Sequence, residues 1–106
     1  GGALSNRRVW AALPGNALPD GICLDAAGAI WAASPSTCEV LRLSEGGAVL
    51  DRIVTEQPAI ACMLGGGDRR TLFILTSSST DPAICAATRT ARVLATQVET
   101  PGAGLP

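Results

Sequence analysis

Short apolar runs alternate with clusters of Gly, Pro, Asp and Ser along this sequence, and no amphipathic helical pattern extends over the roughly 11 residues of a typical helix. The runs predict β-strands near residues 8–12, 21–25, 29–34, 39–44, 48–54, 60–64, 71–77 and 90–98. The connections at 25–28, 45–47 and 65–68 contain the Gly and Asp residues of tight hairpins. We therefore expect an all-β chain in which consecutive strands pair as an antiparallel meander.

The expected strands fall into two classes of burial. Residues 22–24, 29–33 and 72–75 are apolar on both faces, which predicts that these strands are covered on both sides. Residues 49–53 and 91–94 carry charges among their hydrophobic residues, which predicts strands nearer to solvent. An antiparallel sheet with sandwiched inner strands and solvated outer strands is typical of one blade of a β-propeller.

An internal repeat supports this interpretation. Residues 19–24 align with 58–63 at a spacing of 39, and residues 30–34 align with 72–76 at a spacing of 42. A period of about 40 to 45 residues is the length of a four-stranded propeller blade. The sequence therefore predicts about two antiparallel propeller blades.

The predicted strands do not fill a whole number of four-stranded blades. Residues 1–18 would carry the outer strand and linker of a preceding blade, 19–56 one full blade, and 57–106 an incomplete last blade with a short helical insertion at 81–87. Because a blade buries its faces against its neighbours, two blades leave apolar faces uncovered. We therefore expect the chain to belong to a larger ring or to associate with itself.

The amino-acid composition excludes several kinds of catalytic and metal site. The chain has no His and no Tyr, and its 8 Arg and 9 acidic residues give a formal net charge of -1. The absence of His excludes a Ser-His-Asp triad, a Cys-His pair and a His-ligated zinc site within this polypeptide. The near-neutral charge argues against a nucleic-acid or membrane partner, and no apolar run approaches the roughly 20 residues of a transmembrane helix. No secretory signal is visible at the start, so we expect a soluble, cytoplasmic protein.

Four cysteines, Cys23, Cys38, Cys62 and Cys85, are spaced too widely for a Cys-x-x-Cys metal clip. We expect them to be reduced and to pack as small hydrophobic side chains. Their three alternative disulfide pairings stay open. Cys23 and Cys62 occupy equivalent positions in the repeat, which would bring them near one another.

Residues 19–31 follow the pattern Pro-Asp-Gly-x-Cys-x-Asp-x-x-Gly-x-x-Trp. With the segments 4–9, 61–66, 68–73 and 101–106, this pattern resembles the SMP-30/gluconolactonase family. The resemblance implies a six-bladed β-propeller that holds a divalent metal, calcium or zinc, in its central channel and hydrolyses sugar lactones or related esters. It also implies that this chain corresponds to the last third of such a protein, ends at the natural C-terminus and lacks the first four blades.

Within this resemblance, Asp20 corresponds to a metal ligand that helps to activate water, so Asp20 is the candidate catalytic and metal-binding residue. The other ligands of the family, one Glu and two Asn, lie on earlier blades, and nothing in this sequence matches their motifs. The resemblance therefore implies that this chain contributes one ligand of the set.

The chemistry of Asp20 also follows from its position between Pro19 and Gly21, just before an inner strand, where it would lie at the mouth of the channel. Hard divalent cations prefer such oxygen donors. The ion would polarise a lactone carbonyl and acidify a bound water, and a free carboxylate oxygen could accept the proton. In the alternative interpretation, Asp20 is a turn residue that hydrogen-bonds its own backbone. Calcium takes 6 to 8 oxygen ligands, so we expect this chain alone to hold no metal tightly.

Other conspicuous residues have structural interpretations. Asp25 is expected to serve as the corner of a hairpin, and Trp31 to pack between blades rather than stack on a sugar. The Arg69-Arg70 pair is expected at a solvated turn. The glycines at 65–67 are expected in a hairpin and not in a phosphate loop, because no Gly-Lys-Ser/Thr follows them.

Two classes of function follow. In the first, the chain is the C-terminal part of a metal-dependent sugar-lactone hydrolase whose partners are a small lactone and the missing N-terminal blades. In the second, it is a self-associating β-sheet module or an inert truncated remnant without catalytic activity. The exposed sheet edges expected of isolated blades favour association with further strands.

Overall fold

Seven β-strands are present in the part of the chain that the computed structural model describes, residues 4–79 and 90–104. They are β1 (Ile22–Leu24), β2 (Ile30–Ser34), β3 (Glu39–Leu43), β4 (Val49–Val54), β5 (Ala59–Gly65), β6 (Thr71–Thr76) and β7 (Arg92–Gln97). The first and last residues of each strand lie within two residues of the bounds predicted from the sequence. The all-β fold class is confirmed.

The strands form two sheets in chain order. The first has the order β1-β2-β3-β4 and the second the order β5-β6-β7, and every neighbouring pair is antiparallel. The ladders are continuous apart from irregularities after Arg42 in β3 and after Ala59 in β5. This is the meander predicted from the short, glycine-rich connections.

The strand predicted at 8–12 does not form, which corrects that expectation. The Trp10 carbonyl accepts a hydrogen bond of 2.8 Å from the N–H of Gly46, but the segment makes no ladder with any described strand. Trp10 and Leu13 instead pack against the first sheet. A strand requires a continuous row of backbone partners, and one hydrogen bond does not supply it. The helical insertion predicted at 81–87 lies outside the described residues.

Strand β2 is covered on both faces, as its apolar sequence predicted. Trp31 and Ala33 face the second sheet, where they share a buried cluster that also includes Val40, Ala59, Cys62, Leu64, Leu72 and Ile74. Ala32 faces the opposite side, where Leu41, Leu43 and the N-terminal segment form a second cluster. Because side chains alternate along a strand, the apolar residues of β2 contribute to both buried clusters.

The same prediction is wrong for β1. Ile22 and Leu24 are 57% and 52% exposed, whereas Cys23 between them is half-buried and packs against the interface of the two sheets. No described strand lies against the face that carries Ile22 and Leu24. The strands that carry charges, β4 and β7, are largely exposed as expected.

Backbone hydrogen bonds tie the start of β1 to the second sheet and the turn after β1 to the C-terminal segment. At its start, the N–H of Gly21 donates to the carbonyl of Ile60 over 2.9 Å, and at its end the N–H of Ala26 donates to the carbonyl of Pro101 over 2.8 Å. A Cβ atom at Gly21 would lie 2.7 Å from the Cα of Ala61, so only glycine permits this approach. Within the described ranges, no helix is long and apolar enough to cross a membrane.

Candidate functional site

Asp20 lies two residues before β1, and its backbone is fixed by both sheets. Its N–H donates to the carbonyl of Ala33 in β2 over 2.8 Å, and the following N–H, of Gly21, donates to Ile60 in β5. Asp20 is exposed, and its carboxylate accepts no hydrogen bond from the described residues. The turn interpretation, in which the carboxylate would bond its own backbone, therefore has no support from the contacts of Asp20.

The described residues do not complete a metal site around Asp20. No group of three or more His, Cys, Asp or Glu side chains suited to hold an ion occurs among residues 4–79 and 90–104. Glu39, a buried carboxylate of β3, is already engaged, since it pairs with Arg52 at 3.1 Å and accepts a hydrogen bond from Thr37. Asp20 therefore offers one carboxylate, which does not by itself supply the 6 to 8 oxygen ligands of calcium.

Asp25 has the turn role that the sequence predicted. Its Oδ1 accepts hydrogen bonds from the N–H groups of Ala27 and Ala29, at 2.9 and 3.0 Å. Asp25 is 1% exposed, and its Oδ2 accepts a hydrogen bond of 2.7 Å from Nε of Arg42 in β3. A buried carboxylate held in this way is a structural element and is not available as a ligand or base.

The partner of Asp25, Arg42, was not singled out from the sequence. Its guanidinium also contacts Oγ1 of Thr100 at 3.4 Å, so Arg42 connects the first sheet to the C-terminal segment. The sequence does contain a signal for this ion pair, because Arg42 is the one cation within the otherwise apolar centre of β3. A charge in a buried strand requires a buried partner.

Arg69 corrects the expectation of a solvated arginine pair. Arg70 is exposed, but Arg69 is half-buried, and its Nε is buried without a hydrogen-bond partner among the described residues. Arg69 has a φ of 61°, and the backbone of Gly102 packs on its guanidinium. A Cβ added at Gly102 would lie 3.4 Å from Nη2 of Arg69.

Arg69 lines a pocket of about 390 Å³ beside the end of β1. The other lining residues include Cys23, Leu24, Met63 and Leu64. This pocket combines a half-buried arginine with a thiol and apolar residues. Sequence reasoning did not find it, because it is assembled from β1, β5 and two separate turns.

Two thiols meet at the junction of the sheets. Sγ of Cys23 and Sγ of Cys62 lie 3.9 Å apart, and both cysteines are free thiols, as is Cys38. Cys62 is buried, and its Sγ lies 3.4 Å from the carbonyl oxygen of Trp31. The hydrogen-bonded contact with Cys62 lowers the pKa of Cys23, whereas the same contact and burial raise the pKa of Cys62. The expectation that Cys23 and Cys62 approach each other is confirmed, and Cys85 lies outside the described residues.

Comparison with solved structures shows the fold. Luciferin-regenerating enzyme superposes with a TM-score of 0.62 at 20% identity, over 79% of this chain and 29% of that protein. The calcium-binding protein regucalcin from Agrobacterium tumefaciens superposes with a TM-score of 0.63 at 21% identity, over 82% of this chain and 30% of that protein. The two sheets are therefore blades of a partial β-propeller.

Sequence comparison shows the family. The model of the SMP-30/gluconolactonase/LRE-like region matches residues 1–78. A 6-deoxy-6-sulfogluconolactonase from Pseudomonas putida is 39% identical over 92 residues, which cover 83% of this chain and 31% of that enzyme. The chain thus spans about a third of the length of the curated relative that it matches. This chain belongs to the SMP-30/gluconolactonase/LRE-like family.

Proposed function

We propose that this chain forms the C-terminal blades of a sugar-lactone hydrolase that uses a divalent metal, calcium or zinc. The family match supports the reaction class, and the relative from Pseudomonas putida, named as a 6-deoxy-6-sulfogluconolactonase, supports a sugar lactone as substrate. The observation that carries the proposal is the exposed carboxylate of Asp20, which has no partner among the described residues although its backbone is held by both sheets.

In this proposal, Asp20 is one ligand of the metal. Its backbone bonds to Ala33 and, through Gly21, to Ile60 hold the carboxylate at a defined place at the start of β1. The remaining oxygen donors come from further blades, because the described residues contain no group of three or more His, Cys, Asp or Glu side chains that could hold an ion. When bound, such an ion would supply Lewis-acid polarisation of the lactone carbonyl.

The test is Asp20→Asn in the polypeptide or assembly that contains this chain and hydrolyses a sugar lactone. The substitution removes the charge of the ligand at nearly constant volume, so we expect turnover to fall by at least about 100-fold, with an unchanged far-ultraviolet circular dichroism spectrum. Asp51→Asn is the matched control, because Asp51 is exposed on β4, at the opposite edge of the first sheet from β1. Unchanged turnover in Asp20→Asn would remove Asp20 from the mechanism.

The isolated chain provides a second measurement. With one ligand available, it is expected to bind neither calcium nor zinc tightly in calorimetry and to hydrolyse no sugar lactone when either ion is added. Clear turnover by the isolated chain would contradict the proposed division of ligands among blades.

A second candidate function is self-association. Ile22 and Leu24 expose more than half of their area on a face of β1 that no described strand covers, and Val93 is 68% exposed on the edge strand β7. Exposed strand edges with apolar side chains recruit further strands. Copies of this chain would then provide the neighbouring blades that each copy requires.

A further inference from the structure

We propose that Cys23 and Cys62 form a reversible disulfide that links β1 to β5, and hence the two sheets, by exchange with a low-molecular-weight disulfide such as oxidised glutathione. The two Sγ atoms lie 3.9 Å apart across the junction of the sheets. This inference is independent of lactone hydrolysis, because neither thiol takes part in the proposed metal site.

The backbone brings the two thiols together. Gly21 and Ile60 share a hydrogen bond of 2.9 Å, and the Cα of Ala61 would lie 2.7 Å from a Cβ at Gly21. Cys23 follows Gly21 by two residues, and Cys62 follows Ala61 by one, so each thiol lies close to this contact point. A disulfide requires an Sγ–Sγ distance of about 2.05 Å, so the two sulfurs have to approach by roughly 2 Å, which is within the reach of side-chain rotation.

The surroundings of the two thiols indicate which one attacks the incoming disulfide and which one resolves the mixed disulfide. Cys23 is half-buried and lines the pocket of about 390 Å³, so a small disulfide can reach it, whereas Cys62 is buried. The lowered pKa of Cys23 favours the thiolate there, and the raised pKa of Cys62 keeps that group protonated until exchange begins. Cys23 is therefore the attacking thiol and Cys62 the resolving thiol.

Arg69 suits this pocket to an anionic disulfide. Arg69 is half-buried and lines the same pocket as Cys23. A carboxylate of the incoming disulfide would pair with the positive charge of its guanidinium. Met63 and Leu64 of β5 line the same pocket and would contact the carbon chain of the ligand.

The thiol–disulfide exchange takes place in two steps. The Cys23 thiolate attacks one sulfur of oxidised glutathione, an S–Sγ bond forms, and the first glutathione leaves as a thiolate that takes up a proton. Cys62 then loses its proton to solvent and attacks Sγ of Cys23, which expels the second glutathione. Two protein thiols are oxidised by two electrons, and one oxidised glutathione is reduced to two thiols. The product connects the sheets three residues after Asp20.

The test uses the reduced chain and a Cys38→Ser/Cys85→Ser variant that retains only the proposed pair. Both are equilibrated with mixtures of reduced and oxidised glutathione, and the products are measured by intact mass and peptide mapping. We expect a loss of about 2 Da and a peptide that joins Cys23 to Cys62. Cys23→Ser is the control in which Cys62 is expected to stay a free thiol.

A comparison with denaturing conditions keeps the test independent of how well any variant folds. The glutathione ratio at half-oxidation gives the effective concentration of one thiol towards the other. We expect this concentration to be at least about tenfold higher in native buffer than in concentrated urea, because the fold holds the sulfurs close together. An equal or lower value in native buffer, or a native disulfide that joins Cys62 to another cysteine, would overturn the proposal.

Discussion

Two aspartates of this chain, Asp20 and Asp25, differ in burial, and this difference gives them different roles. Asp25 is buried and satisfied by two backbone N–H groups and Arg42, whereas Asp20, five residues earlier, is exposed and has no partner among the described residues. Both belong to the same short motif, so their residue type alone does not distinguish them. Their surroundings do, because a buried charge requires partners while an exposed one is stabilised by water.

Removal of the Asp25 side chain should destabilise the chain strongly. Asp25→Ala leaves the guanidinium of Arg42 and the turn N–H groups of Ala27 and Ala29 without their acceptor, which costs about 3 to 5 kcal/mol of unfolding free energy. Asp25→Asn retains an oxygen for the turn and should cost less. Urea unfolding followed by Trp fluorescence measures both, and equal losses would mean that the turn bonds contribute nothing.

The reactivity of Cys23 should depend on its neighbour. Because the hydrogen-bonded contact with Cys62 lowers the pKa of Cys23, the thiolate should persist to lower pH than in a free cysteine, and alkylation by iodoacetamide should rise at correspondingly lower pH. Cys62→Ala removes this contact, so the profile should move to higher pH, whereas Cys62→Ser retains a group that can form a hydrogen bond and should keep part of the effect. A profile that Cys62→Ala leaves unchanged would contradict this assignment.

At the scale of elements, the approach of β1 to β5 determines how the two sheets meet. The sequence marks this point by Gly21 within the Pro-Asp-Gly motif, but the motif alone indicates a turn. In the structure, the requirement for glycine comes from the Cα of Ala61, in the other sheet. The same contact places Cys23 beside Cys62 and fixes the backbone next to Asp20.

A methyl group at Gly21 should therefore disturb the junction. Gly21→Ala would place a carbon 2.7 Å from backbone, so one strand has to move, and we expect a loss of about 1 to 3 kcal/mol in thermal or urea unfolding. Gly67→Ala is the matched control, because a Cβ there meets nothing within 4 Å, and it should change stability by less than about 0.5 kcal/mol. Equal stability of the two variants would show that the sheets do not depend on this contact.

At the scale of the whole molecule, the chain exposes apolar surface that a complete ring would bury. The uncovered face of β1 carries Ile22 and Leu24, and the outer strand β4 exposes Leu50 and Val54. The chain spans 31% of the curated relative, and each blade of a propeller packs on its neighbours. The exposed face of β1 is thus the surface at which either further blades or a second copy would pack.

The isolated chain should associate through this face. In sedimentation velocity, the mean mass should rise with concentration above that of a monomer, and Ile22→Lys should weaken association by about tenfold or more, because burial of an unpaired ammonium is costly. Asn16→Lys, in an exposed turn, adds the same charge as a control. A monomer at every concentration would refute self-association.

The sequence by itself determined the strands and the blade pattern. Alternation of apolar and polar residues and the placement of Gly and Asp are local signals, so β1 to β7 were located within two residues, and the motif around Asp20 identified the family. The strand at 8–12 was predicted wrongly because a strand depends on a partner that its own residues do not encode.

Only the tertiary structure decided which side chains meet. The ion pair of Asp25 with Arg42, the pocket beside Arg69 and the contact between Cys23 and Cys62 join residues far apart in the chain. Such contacts depend on how sheets pack and on which face each strand presents, and local sequence patterns do not contain this information. The periodicity of a strand thus shows what it can bury, and its neighbours in the folded molecule determine what it does bury.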